Sequence, residues 1–264
     1  MYIRHSHEIN GKRISYIDFQ GSGSPLLALH GHFGRDTMFS GLSEALGSAW
    51  RVISFDQQGH GWSEQSGDYS RSSYIQDTVD MIKMLDIDPV VLYGHSLGGV
   101  NAYQIAARYP ELVRAIIIED IGAVVNDDLS FVLDWPERFP TVRAFRNFLK
   151  EKGFNDDTYF LESLIEYSDG WGLRFNYQDM VISQQFLNGD HWDDWLSSKC
   201  PALLLHGHRT WVMTTEHARE MKIRRPNTEL IEFPESGHTI RDDQPLEFYQ
   251  AVKDFLSRLD NQSY

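Results

Sequence analysis

Cysteine is nearly absent from this chain: its 264 residues contain one, Cys200. A single thiol forms no internal disulfide, so nothing argues for an oxidising compartment. Cys200 precedes Pro201 and the apolar run 202–205, the setting of a buried, unreactive thiol. Long apolar runs are missing as well. No stretch approaches the roughly 18 consecutive apolar residues of a bilayer-spanning helix. The start, Met1-Tyr-Ile-Arg-His, has no apolar signal-type segment, and a cytoplasmic protein without membrane contact is expected. Basic residues are scarce: 24 Lys and Arg stand against 38 Asp and Glu, a net charge of −14. Such a surface repels phosphate backbones and anionic lipid, so no nucleic-acid partner is expected, and solubility is the plain meaning of the charge. His206 and His208 have no Cys or Glu at a recognised ligand interval, and no metal or other cofactor is expected.

What is present is a regular alternation. Hydrophobic residues make up 41% and charged residues 23%, ordinary for a soluble globule. Strands are predicted at 12–19, 25–29, 50–55, 90–93, 113–118, 202–205 and 229–233, several of them continuous apolar runs of the kind buried in parallel sheets. Helical spacing marks 73–85, 96–109, 216–223 and 246–259. Alternation of this kind predicts an α/β fold with a mostly parallel twisted sheet flanked by helices. One segment departs from it. Between 123 and 198 no strand is evident, while fifteen aromatic residues crowd together from Phe131 to Trp195. This predicts a mainly helical cap inserted into a core formed by 1–122 and 199–264. The cap would lie over the C-terminal strand ends, where open α/β sheets bind ligands.

The strongest chemical signal is Gly94-His-Ser-Leu-Gly98, which follows the strand Val90-Val-Leu-Tyr and opens a helix. This is the G-x-S-x-G nucleophile elbow in its required context. Small residues flank Ser96 because the turn is tight, and the helix that starts there aims its N-terminal amides at developing negative charge. With these residues in hand, the chain resembles the α/β-hydrolase superfamily nearly end to end. Leu29-His-Gly-His-Phe-Gly34 is similar to the family's His-Gly loop after its third strand. Asp56-Gln-Gln-Gly-His-Gly-Trp-Ser63 is similar to its D-x-x-G-H-G-x-S turn, and Gly237-His238 falls where the family places its catalytic histidine. The aromatic insertion occupies the place of the family's cap. Family dehalogenases and epoxide hydrolases use aspartate as nucleophile, whereas a serine attacks acyl carbons, so those two activities are disfavoured.

The resemblance implies Ser96 as nucleophile and His238 as base, with an oxyanion hole made of the backbone N–H groups of Leu97 and His32, Phe33 being the alternative loop donor. The His32 imidazole would then contact substrate or merely fill the loop. His30, His60, His95, His206 and His208 are read as structural, and His191 as a cap residue with no assigned task. The third member departs from the commoner pattern. After the seventh strand the segment Leu205-His-Gly-His-Arg-Thr210 carries threonine where an acid is expected. Part of the superfamily places the acid at the end of the sixth strand, which here reads Ile116-Ile-Ile-Glu119-Asp120-Ile-Gly122. Asp120 is the candidate by that resemblance, with Glu119 and the remote Glu216 as alternatives. The implied function is a serine hydrolase, carboxylesterase-like, cleaving a small ester or a related thioester, lactone or amide with an apolar part through an acyl-enzyme, as a monomer or homodimer. The competing readings are a ligand-binding protein with little turnover and a lyase using the same Ser/His pair.

Overall fold

The alternation of apolar runs and amphipathic helices resolves, in a computed structural model that describes residues 2–65, 67–154 and 157–261, into one eight-stranded sheet covered on both faces. In chain order the body contains β1 (Ile3–Ile9), β2 (Lys12–Asp18), β3 (Ser24–Leu29), α1 (Ser40–Leu46), β4 (Trp50–Phe55), α2 (Arg71–Leu85), β5 (Val90–His95), α3 (Leu97–Arg108) and β6 (Val113–Glu119). The chain then leaves the sheet for an insertion made of β7 (Val124–Val125), α4 (Val142–Glu151), α5 (Thr158–Leu161), β8 (Leu164–Tyr167), β9 (Gly170–Leu173), α6 (Tyr177–Leu187), β10 (Gly189–Asp190) and α7 (Trp192–Ser197). It returns as β11 (Ala202–Gly207), α8 (Thr215–Arg224), β12 (Thr228–Phe233), α9 (Ile240–Asp243) and α10 (Pro245–Asn261).

The sheet order is β1-β2-β4-β3-β5-β6-β11-β12, antiparallel from β1 to β4 and parallel from there onward. The central strands are apolar along their whole length because helices cover both faces, leaving neither face to water. One face packs Leu27, Leu92, Ile116 and Leu204 against α2 and α3. The other packs Leu26, Val91, Ile117 and Leu203 against α1 and α10. Strand β1 was not foreseen. Its residues, Ile-Arg-His-Ser-His-Glu-Ile, are largely exposed, as an edge strand tolerates, and it lacks the apolar periodicity that marks a buried strand.

The insertion is more varied than the expected helices. The β8–β9 hairpin turns at Ser168-Asp169, and β7 pairs with β10. At two to four residues each, these strands are too short to show a period. The aromatics of the segment form their own cluster, with Trp135 at its centre, 5.1 Å from Phe160, 5.3 Å from Phe148 and 5.8 Å from Phe131 between ring centroids. The amphipathic α4, capped by the Thr141 hydroxyl, contributes Phe145 and Leu149 to that cluster. Helix α7 packs on the body instead, where the Trp195 ring meets Tyr103 edge-on at 5.8 Å and its Nε1 donates to the Met221 carbonyl at 3.0 Å. Cys200 is partly rather than fully buried, and burial pushes its thiol pKa up.

Candidate active site

Strand β5 delivers Ser96 to the end of the sheet in a conformation few non-glycine residues adopt, φ 52° and ψ −117°. Its neighbours make this turn possible. A Cβ on Gly94 would stand 2.2 Å from the Gly98 carbonyl oxygen, and one on Gly98 would stand 2.1 Å from that of Leu29. Only glycine lets the three backbone segments touch, which is the physical content of the motif. The Ser96 N–H donates to the Glu119 carbonyl at 3.1 Å, tying the elbow to the end of β6.

At that end the chain turns again. Asp120 has φ 52° and continues the ladder through its N–H, which donates to the Leu205 carbonyl at 2.9 Å. Its buried carboxylate is surrounded by donors. Oδ2 accepts from His238 Nδ1 at 2.8 Å, and Oδ1 accepts from the Gly207 N–H at 3.1 Å with His206 Nδ1 at 3.4 Å. The Thr210 side chain also acts on this carboxylate. Burial alone would raise this pKa, but the polar neighbours His206, His238 and Thr210 and the His238 charge outweigh it, and the carboxyl lies below its ordinary value.

Glu119 points the other way, as alternation along a strand requires. Its carboxylate accepts from the Arg241 backbone N–H at 3.1 Å, from Arg241 Nη1 at 2.8 Å and from the Tyr93 hydroxyl. The structure therefore brings Asp120, and not Glu119, to His238. Glu216 is exposed on α8 and is not among the partners of Asp120 or His238.

His238 lies between β12 and α9. Its carbonyl accepts from His95 Nε2 at 2.9 Å, and the Trp211 ring lies 5.3 Å from its own. Ser96 and His238 line one cavity of about 560 Å³ together with His32, Phe33, Asp127, Asp128, Leu129, Phe131, Gly153, Phe154, Tyr159, Phe160, Gln184, Trp211, Thr239 and Asp243. Much of this wall is the aromatic cluster of the insertion, and no Lys or Arg lines it among the described residues. A second groove of about 610 Å³, with Arg13, Arg138 and Arg174 in its walls, contains neither Ser96 nor His238.

In the His-Gly loop the Phe33 N–H donates to His60 Nε2 at 3.3 Å, so the alternative loop donor is already engaged within the protein. The Tyr159 hydroxyl, from α5, donates to the His32 carbonyl at 2.6 Å and pins the loop from the insertion side. Leu97 is the first residue of α3, directly after Ser96. His30 and His60 sit in turns: His30 Nε2 accepts from the Gln57 N–H at 2.9 Å, and His60 Nδ1 donates to the Gln58 carbonyl at 3.0 Å. Burial holds both imidazoles neutral, with pKa values lowered to about 4 for His30 and about 3 for His60. His191 bonds the Leu187 carbonyl and does not line the cavity, and His208 pairs with Glu232.

Sequence reasoning missed three participants. His206 lies 3.4 Å from the Asp120 carboxylate, Thr210 helps to lower its pKa, and Trp211 packs by the His238 ring although 72% of it is exposed. Their only signal is position, because the strand carrying Leu205-His206-Gly207 runs beside the one ending in Glu119-Asp120. Among the described residues no group of three His, Cys, Asp or Glu side chains could hold a metal ion, and no helix is long and apolar enough to cross a membrane.

An elbow serine, a histidine held by a strand-end carboxylate and an insertion walling one cavity are the arrangement of hydrolases built on open α/β sheets. The chain belongs to the alpha/beta hydrolase family, whose model matches residues 26–251. It is 28% identical to an sn-1-specific diacylglycerol lipase of Mus musculus, covering 91% of this chain and 83% of that protein. A 2-(acetamidomethylene)succinate hydrolase of Mesorhizobium japonicum is 24% identical, over 90% of this chain and 89% of that one. Among solved structures, that of an E-2-(acetamidomethylene)succinate hydrolase superposes with a TM-score of 0.90 at 21% identity, covering 97% of this chain and 100% of that chain, a likeness of fold.

Proposed function

We propose that the protein is a serine hydrolase that cleaves an uncharged ester with an apolar acyl part through an acyl-enzyme. The observation that carries the reading is the His238 Nδ1 to Asp120 Oδ2 hydrogen bond of 2.8 Å at a cavity that Ser96 also lines. A carboxylate can only accept, so Nδ1 carries the proton and Nε2 is left with a lone pair for the serine proton. Ser96 Oγ attacks the acyl carbon as His238 Nε2 takes its proton. The oxyanion is held by the N–H groups of Leu97 and His32, and His238 returns the proton to the leaving alcohol. Water, activated by the same histidine, then releases the acid.

The names of the relatives point to substrates of opposite character, a diacylglycerol that is uncharged and apolar and a succinate that carries two carboxylates. The cavity wall favours the first. It offers Phe33, Leu129, Phe131, Phe154, Phe160 and Trp211, no cation among the described residues, and three carboxylates, Asp127, Asp128 and Asp243. An anionic acyl chain would be desolvated there without a counter-charge.

The test is to label purified protein with a fluorophosphonate and to compare p-nitrophenyl hexanoate with the mono-p-nitrophenyl ester of adipic acid. The expected result is labelling that Ser96→Ala abolishes and a preference of roughly tenfold or more for the uncharged acyl chain. Absent labelling of a folded protein would overturn the mechanism, and preference for the adipate would overturn the substrate class.

A further inference from the structure

Beside the nucleophile stands a histidine that ends a chain of two buried hydroxyls. His32 is only 5% exposed, and its Nε2 lies 2.8 Å from Ser183 Oγ, which in turn lies 2.8 Å from the Tyr74 hydroxyl. Ser183 is on α6 of the insertion and Tyr74 on α2 of the body, so the chain of hydroxyls crosses from one to the other. Ser183 and Tyr74 are buried, with Ser183 at 0% and Tyr74 at 2% exposure, and among the described residues neither hydroxyl has another hydrogen-bond partner. Among the described residues the other nitrogen, His32 Nδ1, has no hydrogen-bond partner, and it is not among the sealed polar atoms, His32 lining the cavity with Ser96.

Three groups and two hydrogen bonds allow three arrangements, since the single Ser183 proton cannot serve both neighbours. If His32 Nε2 and Tyr74 both donated to Ser183, the serine proton would be buried with no acceptor. If His32 Nε2 donated to Ser183 and Ser183 to Tyr74, the phenolic proton of Tyr74 would be buried with no acceptor. A buried unsatisfied donor is costly. In the reverse direction Tyr74 donates to Ser183 and Ser183 donates to Nε2, and every buried proton has an acceptor. Nε2 is then a pure acceptor, and the ring proton must sit on Nδ1, facing the cavity. The ring also stays neutral, since burial and then the neighbouring His60, Arg71 and His30 hold its pKa well below the ordinary imidazole value.

We propose that the His32 side chain is a fixed hydrogen-bond donor to bound substrate, held as the Nδ1–H tautomer by the Tyr74–Ser183 pair and offering that N–H to an acceptor oxygen of an uncharged acyl group. This rests on the hydrolase reading above only for the identity of what is bound. The tautomer is a property of the resting protein. It adds a side-chain donor to the backbone N–H that the same residue supplies, so His32 serves the substrate twice. A neutral donor suits an ester or ketone oxygen, in keeping with a cavity that has no cation in its wall among the described residues.

The tautomer is read directly by nitrogen-15 NMR of histidine-labelled protein, with the His32 signals assigned by their loss in His32→Gln. The expected spectrum has a protonated Nδ1 and a bare Nε2. Tyr74→Phe removes the proton that drives the chain, and Ser183→Ala cuts it. Both are expected to shift the His32 signals toward a mixture of tautomers. Both should also lower kcat/KM for p-nitrophenyl butyrate by roughly tenfold, as for loss of one neutral hydrogen bond. A protonated Nε2 in the wild type would overturn the proposal, as would unchanged His32 signals and unchanged kcat/KM in both variants. A protein that hydrolysed no ester but showed the Nδ1–H tautomer would sink the substrate reading and leave the orientation of His32 standing.

Discussion

Asp120→Asn is the most informative single change, because the structure fixes how the new amide must sit. The native carboxylate receives the Gly207 N–H and His238 Nδ1, with His206 nearby. An asparagine brings an oxygen to one side and an NH2 to the other. With its NH2 toward Gly207 it would face a backbone donor that cannot adapt, leaving two buried donors head to head at a cost of about 1–3 kcal/mol. With its NH2 toward His238 the imidazole can answer by moving its proton to Nε2. The second arrangement wins, and in the proposed mechanism it leaves His238 Nε2 without the lone pair that would take the Ser96 proton. Loss of the negative charge beside the imidazolium acts in the same direction. Together these predict a fall in kcat on the order of 10³- to 10⁴-fold, about 4–5.5 kcal/mol of barrier. The assay is hydrolysis of p-nitrophenyl butyrate near neutral pH, with thermal unfolding followed by circular dichroism to show that the fold survives. A loss smaller than about tenfold in a folded variant would refute the reasoning, because His238 would then be oriented by something other than Asp120.

Glu119→Gln should show the opposite signature. It leaves the Arg241 guanidinium buried beside a neutral amide, and urea unfolding should show a loss of about 3–5 kcal/mol, with a stability unchanged within 1 kcal/mol counting against the ion pair. Thr210→Ala should cost less than about tenfold in kcat, since it leaves the Asp120 bonds to His238 and Gly207 in place. Thr210→Asp placed in the Asp120→Asn background should recover part of the lost rate, because residue 210 already reaches that carboxylate, and no recovery at all would show that the loop cannot aim an acid at His238. His30 and His60 predict an acid-sensitive fold. The unfolded chain takes up their protons near pH 6.5, the folded one only at about 4 and about 3, so stability is complete above pH 6.5 and is lost as pH falls toward those values. The two together give a slope of up to about 2–3 kcal/mol per pH unit below pH 6, and equilibrium unfolding that is flat between pH 7 and 5 would contradict it.

What could be read from the sequence is what local pattern encodes. The run from Val90 to Gly98 states a buried strand, a tight turn and a helix start in nine consecutive residues, and the structure places Ser96 at that turn. The body strands β3, β4, β5, β6 and β11 follow for the same reason, since each is rich in apolar residues and bounded by turn residues. Patterns fail where the deciding partner is far along the chain. Strand β1 exists because β2 offers it an edge, with His5 and His7 stacked on Tyr16, and none of this marks its own residues as a strand. The role of the His32 side chain depends on Ser183, 151 residues away, and on Tyr74 beyond it. The fate of Phe33 depends on His60, which takes its N–H. Short strands in the insertion escape for a different reason. The Ser168-Asp169-Gly170 turn is a recognisable signal, but the flanking segments are too brief for alternation to be counted.

The threonine at 210 looked like a gap in the machinery and is better understood as a handover between adjacent strands. Strands β6 and β11 are parallel neighbours, with Leu204 opposite Ile118 and Leu205 opposite Glu119. The chain leaving β6 and the chain leaving β11 therefore emerge side by side, a strand spacing of about 4.8 Å apart. A carboxylate that must meet His238 Nδ1 can be supplied from either exit, since a side chain spans that spacing. Here the left-handed turn at Asp120 aims the acid from β6. The β11 exit keeps a supporting task, giving the Gly207 N–H to the same carboxylate and bringing His206 and Thr210 to act on it. These polar neighbours, with His238, explain why the acid's pKa is lowered although it is fully buried: without them burial would dominate and raise it. An acid at 210 in the native background would place a second carboxylate against the first, and repulsion would raise the pKa of one of them. A hydroxyl at 210 and a carboxylate at 120 are thus a matched pair, and each identity follows from the other.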